Sequence, residues 1–170
     1  MQKKRAGVII AVLAVMHIVM LVLGIQFDQV GIAKDSAWWQ CLTYHFFHAN
    51  VFHLIINSLC LYSLLQRDVR WVHIVPCFLI AAISGLLTAK DVPTVGASAF
   101  IVALSGVISS WHPTIKSFAL SVLFLTAYCL VPNINGAIHL VAWIGGYIYG
   151  RGRIAYLKYN YDRKGNHIGE

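Results

Sequence analysis

Four polar side chains stand inside otherwise apolar stretches of this chain: His53, Asn57, Ser98 and His139. Their types suit acyl transfer. A serine hydroxyl becomes a good nucleophile only when a base takes its proton, and neutral imidazole, with a reference pKa of about 6.5, is suited to that near neutrality. Ser98 lies in Gly96-Ala97-Ser98-Ala99. The small neighbours permit close backbone approach, and a helix start there would point unpaired N–H groups at developing negative charge. His53 and Asn57, four apart, share one face of a helix. An acidic third partner is not offered: Asp28, Asp35, Asp68, Asp91, Asp162 and Glu170 all fall in expected loops or tails. The residues therefore predict a Ser98–His139 dyad rather than a triad.

The elements that must position these groups follow from composition. Of 170 residues, 59% are hydrophobic and only 11% charged, against roughly 25% charged in soluble domains. Water is not the main solvent of such a chain. No linker, low-complexity segment or repeat of fixed period divides it, so residues 1–170 read as one domain. Cys41, Cys60, Cys77 and Cys129 form no CxxC and lie mostly in apolar runs. They suggest small buried hydrophobes rather than a disulfide framework or a zinc site.

A membrane helix needs about 17 to 25 apolar residues. Runs near 6–26, 50–66, 71–89, 96–111, 114–131 and 134–150 give six, some of them short, which predicts tilt, local bilayer thinning or burial within the bundle. The first follows Lys3, Lys4 and Arg5, but its core is too long for a cleaved leader and it is expected to remain as an anchor. With six spans, both termini and the second and fourth loops share one side. That side carries Lys3, Lys4, Arg5, Arg67, Arg70, Lys116, Arg151, Arg153, Lys158, Arg163 and Lys164, and the other only Lys34 and Lys90. The bias predicts cytoplasmic termini, with 151–170 as a cytoplasmic tail. It also accounts for the formal charge of +7 through membrane topology, with no nucleic-acid partner. Spans two, four and six then run inward from the outer face, which sets His53, Asn57, Ser98 and His139 at similar depth. Ala142, Gly146 and Gly150 on the sixth span, with Ala99, Ala103 and Gly106 on the fourth, are the small residues that let two membrane helices pack closely. The five tryptophans, Trp38, Trp39, Trp71, Trp111 and Trp143, are expected mostly as interface anchors. His17 and His73 stand without such company and receive no role.

With these residues located, the sequence resembles the rhomboid family of intramembrane serine proteases over nearly its whole length. Trp39-Gln40-Cys41-Leu42-Thr43, continuing through Phe46-Phe47-His48, is similar to the family's first outer loop. His48 to His53 and Asn57 resembles the second-span motif of two histidines and an asparagine. Gly96-Ala97-Ser98-Ala99 resembles the GxSx nucleophile motif, and Asn133-Ile134-Asn135 through His139, Gly146 and Gly150 the sixth-span motif.

The resemblance implies an all-α, six-transmembrane-helix, rhomboid-like bundle. Ser98 would be the nucleophile and His139 the base and later the acid. His53, Asn57 and the Ser98 backbone N–H would stabilise the oxyanion, with His48 and Gly96 supporting the site. It implies no cofactor and no metal, with transmembrane proteins in the lipid bilayer as substrates. The fifth span and the loop over the site would form the gate, and the site would open to the outer side of the cell membrane.

Three departures stand out. Gln40 replaces an arginine, expected to alter how the first loop meets headgroups. Ala142 replaces a glycine, expected to hold the fourth and sixth spans further apart. Val102 stands where many members carry an aromatic ring against the histidine. The alternatives are a noncatalytic rhomboid-like protein that binds membrane clients, and a metal site at His45, His48 and His53.

Overall fold

The computed structural model describes residues 2–67, 69–111, 113–130 and 134–165. Asp68, Asn133 and Glu170, named above, lie outside the described residues, as do the side chains of Lys3, Lys4, Arg5, Cys129 and Lys164. Each of the six apolar runs contains a helix: α1 (Gln2–Leu23), α4 (Val51–Leu65), α5 (Trp71–Leu87), α6 (Ser98–Trp111), α7 (Ile115–Leu130) and α8 (Gly136–Gly165). Two single turns, α2 (Phe27–Val30) and α3 (Gln40–Thr43), and a 3-10 turn at Tyr44–Phe46 fill the connection between α1 and α4. Among the described residues the architecture is all-helical, the nearest thing to a sheet being one bridge between Ile32 and Thr94.

Among the described residues, by length and composition only α1, through Ala6–Leu23, could cross a bilayer alone, or two if the Gln40–Phe46 and Val51–Leu65 segments, bent by 91°, count as one span. The shortness of α6 has a packing reason. Fourteen residues at 1.5 Å each give about 21 Å, and nine of the fourteen are buried. A helix surrounded by protein is not obliged to match the hydrocarbon thickness. Its neighbours α5 and α8 turn apolar side chains outward instead: Val75, Leu79, Ile83, Ile144 and Ile148 are all exposed. So large an apolar exterior on a folded chain calls for lipid or another apolar partner.

The core joins α6 to α8 backbone against backbone. A Cβ on Gly146 would strike the carbonyl of Ala103, one on Gly106 would strike the carbonyl of Trp143, and one on Gly150 would strike the Ser110 hydroxyl. The looser approach expected from Ala142 is therefore not found. Ala142 is fully buried, and the close contact is carried by the three glycines around it, where no side chain intervenes.

Further expectations are corrected. Residues 151–165, expected within a tail, are helical, because α8 continues unbroken to Gly165. Gly150 and Gly152 each weaken a helix by about 1 kcal/mol relative to alanine, but no proline interrupts the segment and the Lys and Arg residues that follow are good helix formers. Trp143 is buried at 8% exposure, stacked on Tyr147 with ring centres 5.3 Å apart, so it packs the bundle rather than marking a surface. Trp38, Trp39 and Trp71 are exposed. Cys41 and Cys77 are buried free thiols, but Cys60 is exposed, on a face of α4 that also exposes Ile56 and Leu59.

Candidate active site

The segment from α3 to α4 builds one wall. Gln40, the departure expected to alter how the first loop meets headgroups, is buried and holds the connection together from within. Its side-chain amide donates to the carbonyls of Asp28 at 2.7 Å and Gly31 at 3.0 Å, and its Oε1 accepts from the Ala37 N–H at 2.6 Å. The neutral amide does what a cation could not, since it both donates and accepts. Tyr44, almost wholly buried, donates from its hydroxyl to the Ala81 carbonyl at 2.8 Å, and its own carbonyl accepts from the Gly96 N–H at 2.8 Å. One residue thus ties the connection to α5 and to the loop before Ser98. Asn50 caps α4, its side chain accepting from the His53 N–H at 2.9 Å. That cap satisfies a first-turn donor and sets His53 in the first turn of the helix.

The second wall is the segment before α6. Ile32 and Thr94 exchange backbone hydrogen bonds at 3.0 and 2.9 Å, which brings residues 94–97 across from the first connection. Lys34 and Asp91 form an exposed ion pair at 2.8 Å at the same end; hydrogen bonding to Lys34 lowers the Asp91 carboxyl pKa, and the same pairing raises that of Lys34. Gly96 has φ +125°, a conformation side chains rarely adopt. A Cβ there would lie 2.6 Å from His53 Cε1, 2.9 Å from His53 Nε2 and 3.4 Å from Asn57 Nδ2. The glycine therefore lets the chain turn and lets His53 and Asn57 press against the backbone two residues before Ser98. Ser98 opens α6, so its N–H belongs to the unpaired first turn.

The glycine contacts between α6 and α8 bring the third wall, and His139 Nε2 stands 2.8 Å from Ser98 Oγ across forty-one residues of sequence. His139 is buried at 2% exposure, Ser98 partly so. The imidazole also interacts with the backbone of Asn135, four residues earlier. Asn135 is anchored in turn by its side-chain amide, which donates to the Thr88 carbonyl at 2.9 Å. The Asn57 side chain is 4% exposed, and its Nδ2 is a buried donor with no hydrogen-bond partner. His48 has no exposed surface; its Nε2 accepts from the Ala97 N–H at 3.5 Å, and its ring stands edge-on to His53 at 5.2 Å between centroids. Val102 is buried with Leu125 and Trp143, so that aliphatic and indole surface fills the region where an aromatic ring was the alternative.

All six expected site residues, Ser98, His139, His53, Asn57, His48 and Gly96, thus gather at one end of the bundle. The alternative of a metal site at His45, His48 and His53 gains no support. The His45 ring packs 3.8 Å from the Tyr44 ring and 4.8 Å from Phe78, centroid to centroid. Among the described residues no group of three or more His, Cys, Asp or Glu could hold a metal ion. Sequence reasoning gave no role to Tyr44 and named Gln40 and Asn135 only as motif positions. All three act through hydrogen bonds to backbone elsewhere in the chain, and a single polar residue in a loop gives no sign of its partner.

An all-helical bundle with a serine hydroxyl against an imidazole, both inside an apolar shell, defines the class to which the comparisons then assign the chain. The family model for the rhomboid domain matches residues 35–156, and this chain belongs to the rhomboid family. The family is membrane-embedded, and its members are generally serine proteases that act on transmembrane substrates in the bilayer. No curated protein matches the chain.

Proposed function

We propose that this protein is an intramembrane serine endopeptidase that hydrolyses peptide bonds in or beside transmembrane segments, with Ser98 and His139 as its catalytic dyad. The observation that carries the reading is the 2.8 Å contact between Ser98 Oγ and His139 Nε2 beside the buried, unpaired Asn57 Nδ2. A buried donor without a partner costs about 1–3 kcal/mol, a cost that makes sense where a transient acceptor arrives.

In this reading the nearby Asn135 backbone favours the proton on His139 Nδ1, which leaves Nε2 deprotonated toward the serine. Ser98 Oγ attacks the scissile carbonyl while its proton passes to Nε2. The tetrahedral oxyanion is met by the Ser98 N–H, Asn57 and His53. The proton then moves from His139 to the departing amine as the C–N bond breaks, leaving an acyl ester on Ser98. Water, deprotonated by His139, attacks that ester and releases the second product with the Ser98 hydroxyl restored. His48 and Gly96 hold the geometry.

The topology proposed with it is a single domain over residues 1–170, of six spans, α1 and α4 to α8, with both termini cytoplasmic and the site opening outward. The charge bias supports the orientation. The exposed flank of α7, including Ile115, Phe118, Val122 and Leu123, supports a role as the gate for a substrate helix. Substrates would carry a helix that unwinds readily near its outer end, with small residues at the cut.

Purified protein in proteoliposomes should cleave such a substrate and lose activity with Ser98→Ala and with His139→Ala. Full activity in either variant would remove the assignment. A serine-directed fluorophosphonate should label Ser98; no labelling together with no cleavage would favour a noncatalytic client binder.

A further inference from the structure

His17 lies in the middle of α1, a helix that otherwise faces lipid and the bundle with apolar side chains. It is 5% exposed. A polar group at such a position costs free energy unless something uses it. The fold supplies a neighbour that the sequence did not reveal: the His17 ring stands edge-on to His48, 6.4 Å between centroids with an interplanar angle of 82°. His48 in turn adjoins His53. A row of three imidazoles therefore leads from α1 to Gly96, and so to Ser98.

The hydrogen bonding of His48 fixes its requirements. Its Nε2 accepts from the Ala97 N–H, so the neutral ring carries its proton on Nδ1. That Nδ1 is buried; the Phe46 backbone is its electrostatic contact, but no protein atom meets it in hydrogen-bond geometry. The Nδ1 of His17 is also buried without a protein partner. The two rings are too far apart for a direct N–H···N bond. One water, accepting from one ring and donating to the other, would satisfy both.

We infer that His17 is a positioning residue which, through one buried water shared with His48, holds His48 in its Nδ1–H tautomer and thereby fixes the Ala97 backbone beside Ser98. Its effect on rate rests on the protease reading; the hydrogen bond itself does not. His17→Phe keeps a ring and removes the nitrogen, whereas His17→Gln keeps a polar atom and removes the ring. His17→Phe should lower kcat about five- to tenfold, the worth of one lost hydrogen bond, with KM unchanged. His17→Gln should restore kcat to within about twofold of the parent, because its amide can still bond the water. Wild-type rate in His17→Phe overturns the inference, as does a His17→Gln variant as slow as His17→Phe, which would mean ring packing alone.

A second measurement needs no turnover. In the full-length protein labelled with 15N-histidine, His48 should appear as a fixed Nδ1–H tautomer, and His17→Phe should bring tautomer averaging. Averaging already present in the unsubstituted protein overturns the inference even if His17→Phe does not fold. If no substrate is cleaved while the fixed tautomer is seen and is lost in His17→Phe, the proteolytic reading fails and the His17–His48 link stands; a tautomer unchanged in His17→Phe overturns the link.

Discussion

Replacing Gly96 by alanine perturbs the proposed site at a point where the structure gives both terms of the cost. The backbone term comes from φ +125°, which a residue with a Cβ holds only at about 1–3 kcal/mol. The steric term comes from the 2.6 and 2.9 Å separations to His53 Cε1 and Nε2. Ordinary carbon contacts lie near 3.5–4.0 Å, so the ring must withdraw by about 1 Å. Withdrawal moves a proposed oxyanion donor off its target, and a misplacement of about 1 Å can cost roughly a hundredfold in rate. Gly96→Ala should therefore lower kcat about a hundredfold with little change in KM, and lower Tm by roughly 4–8 °C for about 2 kcal/mol lost in a chain of this size. The assay is steady-state cleavage of a transmembrane substrate in proteoliposomes beside a thermal melt of the same preparation. Gly152→Ala is the control, since a Cβ there meets nothing within 4 Å. Undiminished kcat in Gly96→Ala, at any stability, would refute the placement of His53 and Asn57 against the backbone before the nucleophile.

Gly146→Ala drives a methyl into the Ala103 carbonyl; it should destabilise by about 1–3 kcal/mol and lengthen the Ser98–His139 contact, read as a lower Tm and a slower fluorophosphonate reaction. Gln40→Ala removes three hydrogen bonds, one buried and two partly buried, at about 1 kcal/mol each, so its melt should fall well below that of the parent, and a lysine there should not rescue it, having no acceptor. Tyr44→Phe loses one bond to Ala81, worth about 1 kcal/mol, and should lower Tm by only a few degrees. Asp91→Asn breaks an ion pair with both side chains well exposed, and its melt should match the parent at neutral pH. The Asp91 carboxyl is lowered by Lys34, so whatever the pair contributes is present above the unfolded carboxylate pKa and lost as pH falls through the folded one.

Sequence alone located the six long helices and the polar side chains of the candidate site. Apolar runs of fixed minimum length are a local signal, because every backbone polar group away from water must bond within its own segment. Each of those runs holds a helix. Ser98, His139, His53 and Asn57 were legible for the same reason, since polar atoms are conspicuous where they are expensive.

The tertiary structure decided which groups meet. That Ala142 would not separate α6 from α8 depended on Gly106, Gly146 and Gly150 facing opposing backbone. That Gln40 would turn inward depended on carbonyls nine and twelve residues before it, and that Trp143 would be buried depended on Val102 and Leu125 beside it. His17 had no visible partner until α1 lay against α4. A residue's own type sets its cost of burial, but the partner that offsets this cost is chosen by the packing of distant segments, which no window of neighbouring residues contains.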